Sequence, residues 1–407
     1  MEIIKGGVCA AKGFYAAGVE AGIKYQNRKD MALVYSEAPC VCAGTFTSNV
    51  VKAAPVLWDK AVVENSPYVQ AVVVNSGIAN ACTGKEGMEC CEKTAQAAAE
   101  ALAVPKDSVL IGSTGVIGMQ MPIDRLTAGV RMLAAEKAHS EQAAQMAAEA
   151  IMTTDTRDKQ EAVRFTVGGK TVTMGGMSKG SGMIHPNMCT MLAFVTSDVA
   201  ISKELLTKAV KECVTDTFNM ISVDGDTSTN DTFLFLANGC AGNAEITEEG
   251  ADYDAFKEAL LYLNTTLARR MAGDGEGATA LLEVKVVGAD TKENARILSK
   301  SVVCSSLVKA MIYGHDANAG RILCALGYSG VQFDPDKVEV CFVGADGNIW
   351  VYKDGKMPAF DEERATKLLS QPEVTVLVDM KMGSESATAW GCDLSYDYVK
   401  INADYRS

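Results

Sequence analysis

Short apolar runs rich in β-branched residues alternate with long Ala-rich segments along almost the whole chain, and this alternation limits the possible folds more than any other feature. YVQAVVVNSG and VLIGSTGVIG read as strands running into Gly-rich turns. Between them residues 88–104 have a helical composition, and residues 122–152 hold one long helix or two shorter ones, with Pro at a first-turn position. EAVRFTVGGKTVTMGG alternates about a Gly-Gly turn, which predicts a hairpin. MLAFVTSDVAI is continuously apolar, as a strand buried on both faces would be, and it starts directly after Cys189-Thr190. Helices over 203–214, 253–271 and 292–314 alternate with the strands TFLFLANG and LLEVKVVG. VEVCFVGADGNIWVYKDG predicts a hairpin on an Asp-Gly turn, and VTVLVDMKMG and TAWGCDLSYDYVKINADY are expected to close the chain as strands. The class is mixed α/β. At about 150 residues per domain the length corresponds to roughly two or three domains, or one large one, and no linker marks a boundary.

Composition removes several function classes. Apolar residues make up 48% and charged residues 22%, a balance that excludes disordered, collagen-like and coiled-coil chains. Lys plus Arg number 38 against 51 Asp plus Glu, a formal charge of −13, and no dense cationic footprint for nucleic acid is visible. No run approaches the length of a membrane span, and MEIIKGGVCAAKGF lacks the apolar region of a secretory signal. The 13 Cys are scattered, without CxxC spacing, as small buried residues of a reduced cytoplasmic protein would be. Cys40 with Cys42, or Cys90 with Cys91, offer thiolate pairs, but only His139, His185 and His315 are available beside them, and no metal site is expected.

Four polar, Gly-rich segments interrupt the apolar pattern: GSTGVIG, KGSGMIHPNMCTMLAF, SVDGDTSTNDT and GDGEGAT. Any one of them also fits a plain turn. GSTG lacks the spacing of a phosphate loop, and GDGEG does not follow the dinucleotide pattern. Asp224, Asp226 and Ser228 fall at calcium-loop spacing, yet Thr229 stands where that loop needs Gly and its twelfth position has no Glu, so calcium is not expected. In HPNMCTML the residue of interest is Thr190. A Thr hydroxyl gains most as a nucleophile when a base is held beside it, and the α-amino group of an N-terminal Thr, with a pKa of about 7.7–8.0, is such a base. An internal Thr acquires that group only if the preceding peptide bond is cut.

The chain resembles the glutamate N-acetyltransferase/ornithine acetyltransferase family of arginine biosynthesis over essentially its whole length. The resemblance is carried by GGVCAAKGFYAAGVEAGIK, FTSNVVKAAPV, VVVNSGIANACTG, GSTGVIG, IMTTDT, KGSGMIHPNMCTMLAF, SVDGDTSTNDT, GDGEGAT, YGHDANAGRI and INADYRS, in the family's order. It implies an αββα-like sandwich similar to that of N-terminal-nucleophile hydrolases but of the ornithine acetyltransferase type, with a smaller C-terminal lobe at roughly 285–407. It also implies self-cleavage between Cys189 and Thr190, giving pieces 1–189 and 190–407 that share the core and pair into an α2β2 heterotetramer. Thr190 then takes the acetyl group of N-acetylornithine, releases ornithine and passes the acetyl to glutamate, giving N-acetylglutamate. Some members also accept acetyl-CoA as a co-substrate, and the sequence leaves that open. No other cofactor, nucleic acid or membrane partner is implied.

Residue by residue, the resemblance makes Thr114 and Gly115 the oxyanion pair. Lys179 becomes a substrate-contacting cation, Thr153 a substrate-binding hydroxyl with Thr154 as its neighbour, and Glu276 the acid facing the cationic end of ornithine. Asn402 and Ser407 form a C-terminal clamp. The chain departs from the family pattern at Cys189, Ile78, Ala280, Ala319 and Ser407, positions usually held by Ala, Asn, Lys, Trp and Thr, which leaves substrate affinity and subunit contacts in question. A Cys189 nucleophile with a His185 base is disfavoured, because the two are four apart on a non-helical turn. His315 stands where Arg is common and is expected at the surface or an interface. The alternative function is a self-processing aminopeptidase or amidohydrolase, which differs in using water as the acceptor.

Overall fold

The computed structural model describes residues 1–185 and 191–404. The described strands form a nine-stranded and a six-stranded sheet. In the larger the order is Glu2–Ile4, Lys159–Val167, Lys170–Lys179, Leu192–Ser197, Thr232–Ala237, Met31–Phe46, Val69–Asn75, Val109–Ser113, with Phe14–Val19 beside the long strand. That long strand belongs to both halves of the sheet. Its first part pairs with Phe14–Val19 and Val69–Asn75, and its last part pairs with Thr232–Ala237. Between Tyr35 and Cys40 the register shifts, and Pro39, which has no N–H to give the ladder, stands in that stretch.

The two halves, on either side of that shift, face each other. Val72, Val74 and Leu110 from one half share a buried cluster with Met177, Leu192, Phe194, Leu234 and Leu236 from the other. The alternate residues of the same strands face outward. Val73 and Ile111 pack under the helices Gly84–Leu102 and Ile123–Glu136. Val195, Phe233 and Phe235 pack under Lys203–Asp216 and Ala251–Ala272. Helix, sheet, sheet, helix is therefore the layer order, and it explains the continuously apolar runs: Leu192–Ser197 and Thr232–Ala237 have every residue buried because both faces are covered.

The smaller sheet runs Ile349–Tyr352, Glu339–Val343, Glu373–Asp379, Leu281–Ala289, Glu385–Cys392, Ile221–Ser222. The helix Lys292–Cys304 covers it, and Ala251–Ala272 contacts both sheets. Residues 122–152 form two helices, Ile123–Glu136 and Glu141–Ala150, because the Ser140 side chain caps the second by accepting from the Ala143 N–H. Residues 292–314 likewise split at Ser305, which caps Ser306–Tyr313.

Two sequence expectations are corrected. The end of the chain is not all strand: after Glu385–Cys392 it forms the helix Tyr396–Asp404. The alternating aromatic and polar residues there mimic a strand, but the helix is set by docking, with the Ser395 hydroxyl donating to the Gly277 carbonyl at 2.6 Å. The cysteines are also not uniformly buried. Eight of the twelve described thiols are, whereas Cys240 and Cys304 are half-buried and Cys82 and Cys324 are exposed.

Candidate active site

The polar segments that interrupt the strands converge on one cavity of about 130 Å³, lined by Thr114, Gly115, Thr153, Thr154, Lys179, Glu276 and Asn402 among others. Every expected site residue that lies within the described chain is present there. Thr190, Cys189 and Ser407 lie outside the described residues. Ile184 and Met191, on either side of residues 186–190, both line the cavity wall.

Thr114 and Gly115 follow the strand Val109–Ser113. The Thr114 N–H is taken by the Asn75 carbonyl at 3.0 Å, and the Val116 N–H by the Gly77 carbonyl at 3.2 Å. That leaves the Thr114 hydroxyl and the Gly115 N–H as donors, the latter without a partner among the described residues. Gly115 has φ +129°, and a Cβ there would lie 2.3 Å from the Gly77 carbonyl carbon, so only Gly fits. The NSGIAN and GSTG motifs are thus two loops zipped into one rigid edge. Two fixed donors beside a cavity are what a developing oxyanion needs.

Lys179 ends the strand Lys170–Lys179, and its Nζ lies 3.2 Å from the Thr114 Oγ1. Burial pulls its pKa down, against the nearby carboxylates of Asp155, Glu276 and Asp231. Thr153 donates its N–H to Asp155 Oδ2 at 3.1 Å and its carbonyl accepts from the Arg28 guanidinium at 2.9 Å, while the Thr154 hydroxyl is engaged by Ser181 at 2.7 Å. Of the two threonines, Thr153 has no side-chain bond of that kind among the described residues.

Glu276 sits on the loop after Ala251–Ala272, with its N–H on the Ser181 carbonyl at 2.9 Å. Gly182 makes room for it, since a Cβ there would be 2.3 Å from the Glu276 carboxyl carbon. The Asn402 amide, reaching back from the C-terminal helix, donates to Glu276 Oε2 at 2.7 Å. An acid with one oxygen engaged, across a cavity from a buried lysine, suits an amino-acid ligand that carries both charges.

Sequence reasoning assigned no role to several residues here. Asp224 accepts the Met183 and Ile184 N–H groups at 2.6 and 2.9 Å, so it fixes the KGSGMI segment rather than a calcium ion. Asp231 lines the cavity, and burial pushes its pKa well above the usual carboxylate range. Asn230 ties the strand Thr232–Ala237 to the Ser113 carbonyl at 2.8 Å. Nothing in the local sequence distinguishes these from turn residues. His185 faces Ser222 Oγ at 3.2 Å and Cys304 Sγ at 3.4 Å, and burial with the Lys300 charge lowers its pKa to about 4, so it is neutral. His315 is exposed in a turn and does not line the cavity. Among the described residues no three His, Cys, Asp or Glu side chains converge as a metal site requires.

The sequence pattern of the ArgJ family matches residues 15–407. The chain belongs to the ArgJ family, a family of arginine-biosynthesis enzymes. It is 50% identical, over all 407 residues and the full length of the relative, to the arginine biosynthesis bifunctional protein ArgJ of Caldanaerobacter subterraneus subsp. tengcongensis. ArgJ 1 of Clostridium acetobutylicum is 51% identical over 397 residues, 97% of this chain and 96% of that one. The crystal structure of ArgJ from Bacillus halodurans matches with a TM-score of 0.50 and 43% identity, covering 52% of this chain and 98% of the solved one. The layered α/β architecture of this ArgJ-family chain is the one its sequence led us to expect. No helix among its described residues is long and apolar enough to cross a membrane.

Proposed function

We propose that the cavity moves an acetyl group from N-acetylornithine to glutamate through an acetyl ester on Thr190. The observation that carries this reading is the joint presence, in one cavity, of the Thr114 hydroxyl, the Gly115 N–H, the Lys179 ammonium and the Glu276–Asn402 pair. In the precursor the Thr190 hydroxyl attacks the Cys189 carbonyl, the amide becomes an ester, and water hydrolyses it. The new α-amino group then accepts the hydroxyl proton as Thr190 attacks the acetyl carbonyl, and the proton passes to the departing amine of ornithine. The Thr114 hydroxyl and Gly115 N–H hold the negative oxygen of each tetrahedral intermediate. Lys179 holds the substrate carboxylate, Thr153 contacts it, and Glu276 faces the side-chain ammonium. Glutamate reverses the sequence and leaves as N-acetylglutamate.

Support for a cut near residue 189 comes from Ile184 and Met191, which flank residues 186–190 and both line the cavity. The two pieces, 1–189 and 190–407, are proposed to remain associated and to pair as α2β2 in the cytoplasm, with Ser407 completing the Asn402 clamp. The proposed reaction draws on no cofactor, and acetyl-CoA is the alternative donor to be tested. The test is acetyl transfer to glutamate from N-acetylornithine and, separately, from acetyl-CoA, with a denaturing gel for cleavage. Release of free acetate without transfer would instead identify a hydrolase.

A further inference from the structure

Two acids in the motifs around the cavity take no part in the reaction proposed above, Asp155 of IMTTDT and Asp274 of GDGEGAT. Both bind one buried ammonium. Lys159 Nζ lies 2.7 Å from Asp155 Oδ1 and 2.6 Å from Asp274 Oδ2, and Lys159 is 0% exposed. Their other contacts go to the chain around the cavity, including the Arg157 guanidinium at 3.9 Å from Asp274. Asp155 accepts the Gly180 N–H at 2.7 Å and the Thr153 N–H at 3.1 Å. Asp274 accepts the Thr156 N–H at 3.1 Å and the Thr156 hydroxyl. One cluster therefore fixes the segment of Thr153, the strand end carrying Lys179 and the loop carrying Glu276.

A buried ion cluster is a weak source of stability, because apolar residues of similar volume often serve as well. Its connection to Lys179 gives it another use. Lys179 is buried one residue before the Gly180 N–H that Asp155 holds. Burial works against its ammonium, and Asp155 is the foremost charge opposing that, followed by Glu276 and Asp231, while Lys159 works the other way. Asp155 itself, which burial alone would push up, is held at about 2 by Lys179, Lys159 and the Gly180 N–H. Asp155 is thus ion-paired to Lys159, holds the backbone next to Lys179, and acts on the Lys179 ammonium by its charge.

We propose that Asp155 and Lys159 are positioning residues for substrate binding. Asp155 fixes Lys179 and supplies its counter-charge, and Lys159, anchored by Asp274, sets how much of that charge Lys179 receives. This rests on the acetyltransferase reading, in which Lys179 meets the substrate carboxylate.

The test is kcat and KM for N-acetylornithine in wild type, Asp155→Asn and Lys159→Gln from about pH 6 to about pH 10, the span in which a lysine of lowered pKa titrates. Lys179 serves only when protonated, so kcat/KM falls on the alkaline side. Asp155→Asn should raise KM about tenfold with kcat little changed, and should move the alkaline limb down by about one pH unit. Lys159→Gln should move the same limb up. General structural damage does not shift the two variants in opposite directions. Should either fail to fold, Asp274→Asn, which keeps an amide oxygen for Lys159 and Thr156, should shift the limb down by less than Asp155→Asn. An unmoved limb in active variants, shifts in one direction for both, or a loss confined to kcat overturns the proposal alone. A wild type without any transfer from N-acetylornithine overturns the acetyltransferase reading and this proposal with it.

Discussion

Gly115→Ala separates the oxyanion role of the GSTG loop from its role as a turn. The added Cβ would stand 2.3 Å from the Gly77 carbonyl carbon, 2.4 Å from its oxygen and 2.7 Å from the Ile78 nitrogen, all backbone atoms that cannot swing away. Ordinary contact begins at 3.4 Å, so one loop must give way by about 1 Å. A displacement of that size in a group that positions reacting atoms costs about 10²-fold in rate, or about 2.7 kcal/mol. Gly118→Ala supplies the control. Gly118 also has a positive φ, +87°, but a Cβ there meets nothing within 4 Å, so it should lose only about 1–2 kcal/mol of stability through backbone strain. The assay is turnover with N-acetylornithine and glutamate, together with the fraction cleaved on a denaturing gel and a thermal melt. Gly115→Ala should slow both cleavage and transfer, and Gly118→Ala neither. Normal turnover in cleaved Gly115→Ala, or equal losses in the two variants, would refute the role given to the Gly115 N–H.

Glu276→Gln keeps the amide contact with Asn402 but loses the charge; kcat/KM for N-acetylornithine should fall by the equivalent of about 1.5–3 kcal/mol, and an unchanged value removes Glu276 from the substrate site. Thr190→Ala should remain one inactive 407-residue chain, whereas Thr190→Ser should cleave and retain some transfer; an acetyl adduct on any Cys by mass spectrometry, or an active intact Thr190→Ala chain, sinks the mechanism. Asp155, depressed from 3.8 to about 2, adds about 2 kcal/mol of stability that is present above about pH 4 and lost as pH falls through about 2. Urea midpoints taken across that range should lose part of their pH dependence in Asp155→Asn, and equal slopes in both proteins would contradict the assignment.

Much of the strand pattern was legible because burial on two faces leaves a mark in sequence. LAFVTS and TFLFLA are mostly apolar and buried throughout, since alternate residues serve the inter-sheet cluster and the outer helices. The face-to-face arrangement was not legible in the strand pattern and came only from the family resemblance, because one Pro in a strand run, at the register shift near Pro39 in Met31–Phe46, does not say which way the chain folds. The C-terminal helix left no amphipathic trace, having no fully buried residue of its own. The site residues come from separate segments, so no local spacing joins them, and family resemblance did what periodicity could not. Asp155 and Lys159, at the two ends of DTRDK, drew no notice in the sequence, because nothing in the spacing of charges tells a buried pair from a solvated one.

The same geometry bears on what a break after residue 189 would do. Residues 174–179 pair antiparallel with residues 192–197, Lys179 opposite Leu192 and Met174 opposite Ser197. Residues 192–197 in turn pair parallel with 232–237, and these pair with the far end of the long strand near the N-terminus. Two strands of the second prospective piece are therefore inserted between strands of the first within one sheet. The cavity is composed in the same way, with Thr114, Gly115, Thr153 and Lys179 before the junction and Glu276 and Asn402 after it. Separating the pieces would expose the ladder on one side of Leu192–Ser197 and on the far side of Thr232–Ala237, together with the inter-sheet faces of Phe194, Leu234 and Leu236, each fully buried. Burying a side chain of that kind is worth about 1.5–3 kcal/mol, and the sheet holds many of them. A cut there would remove one covalent bond and leave these strand pairings and the described cavity lining in place.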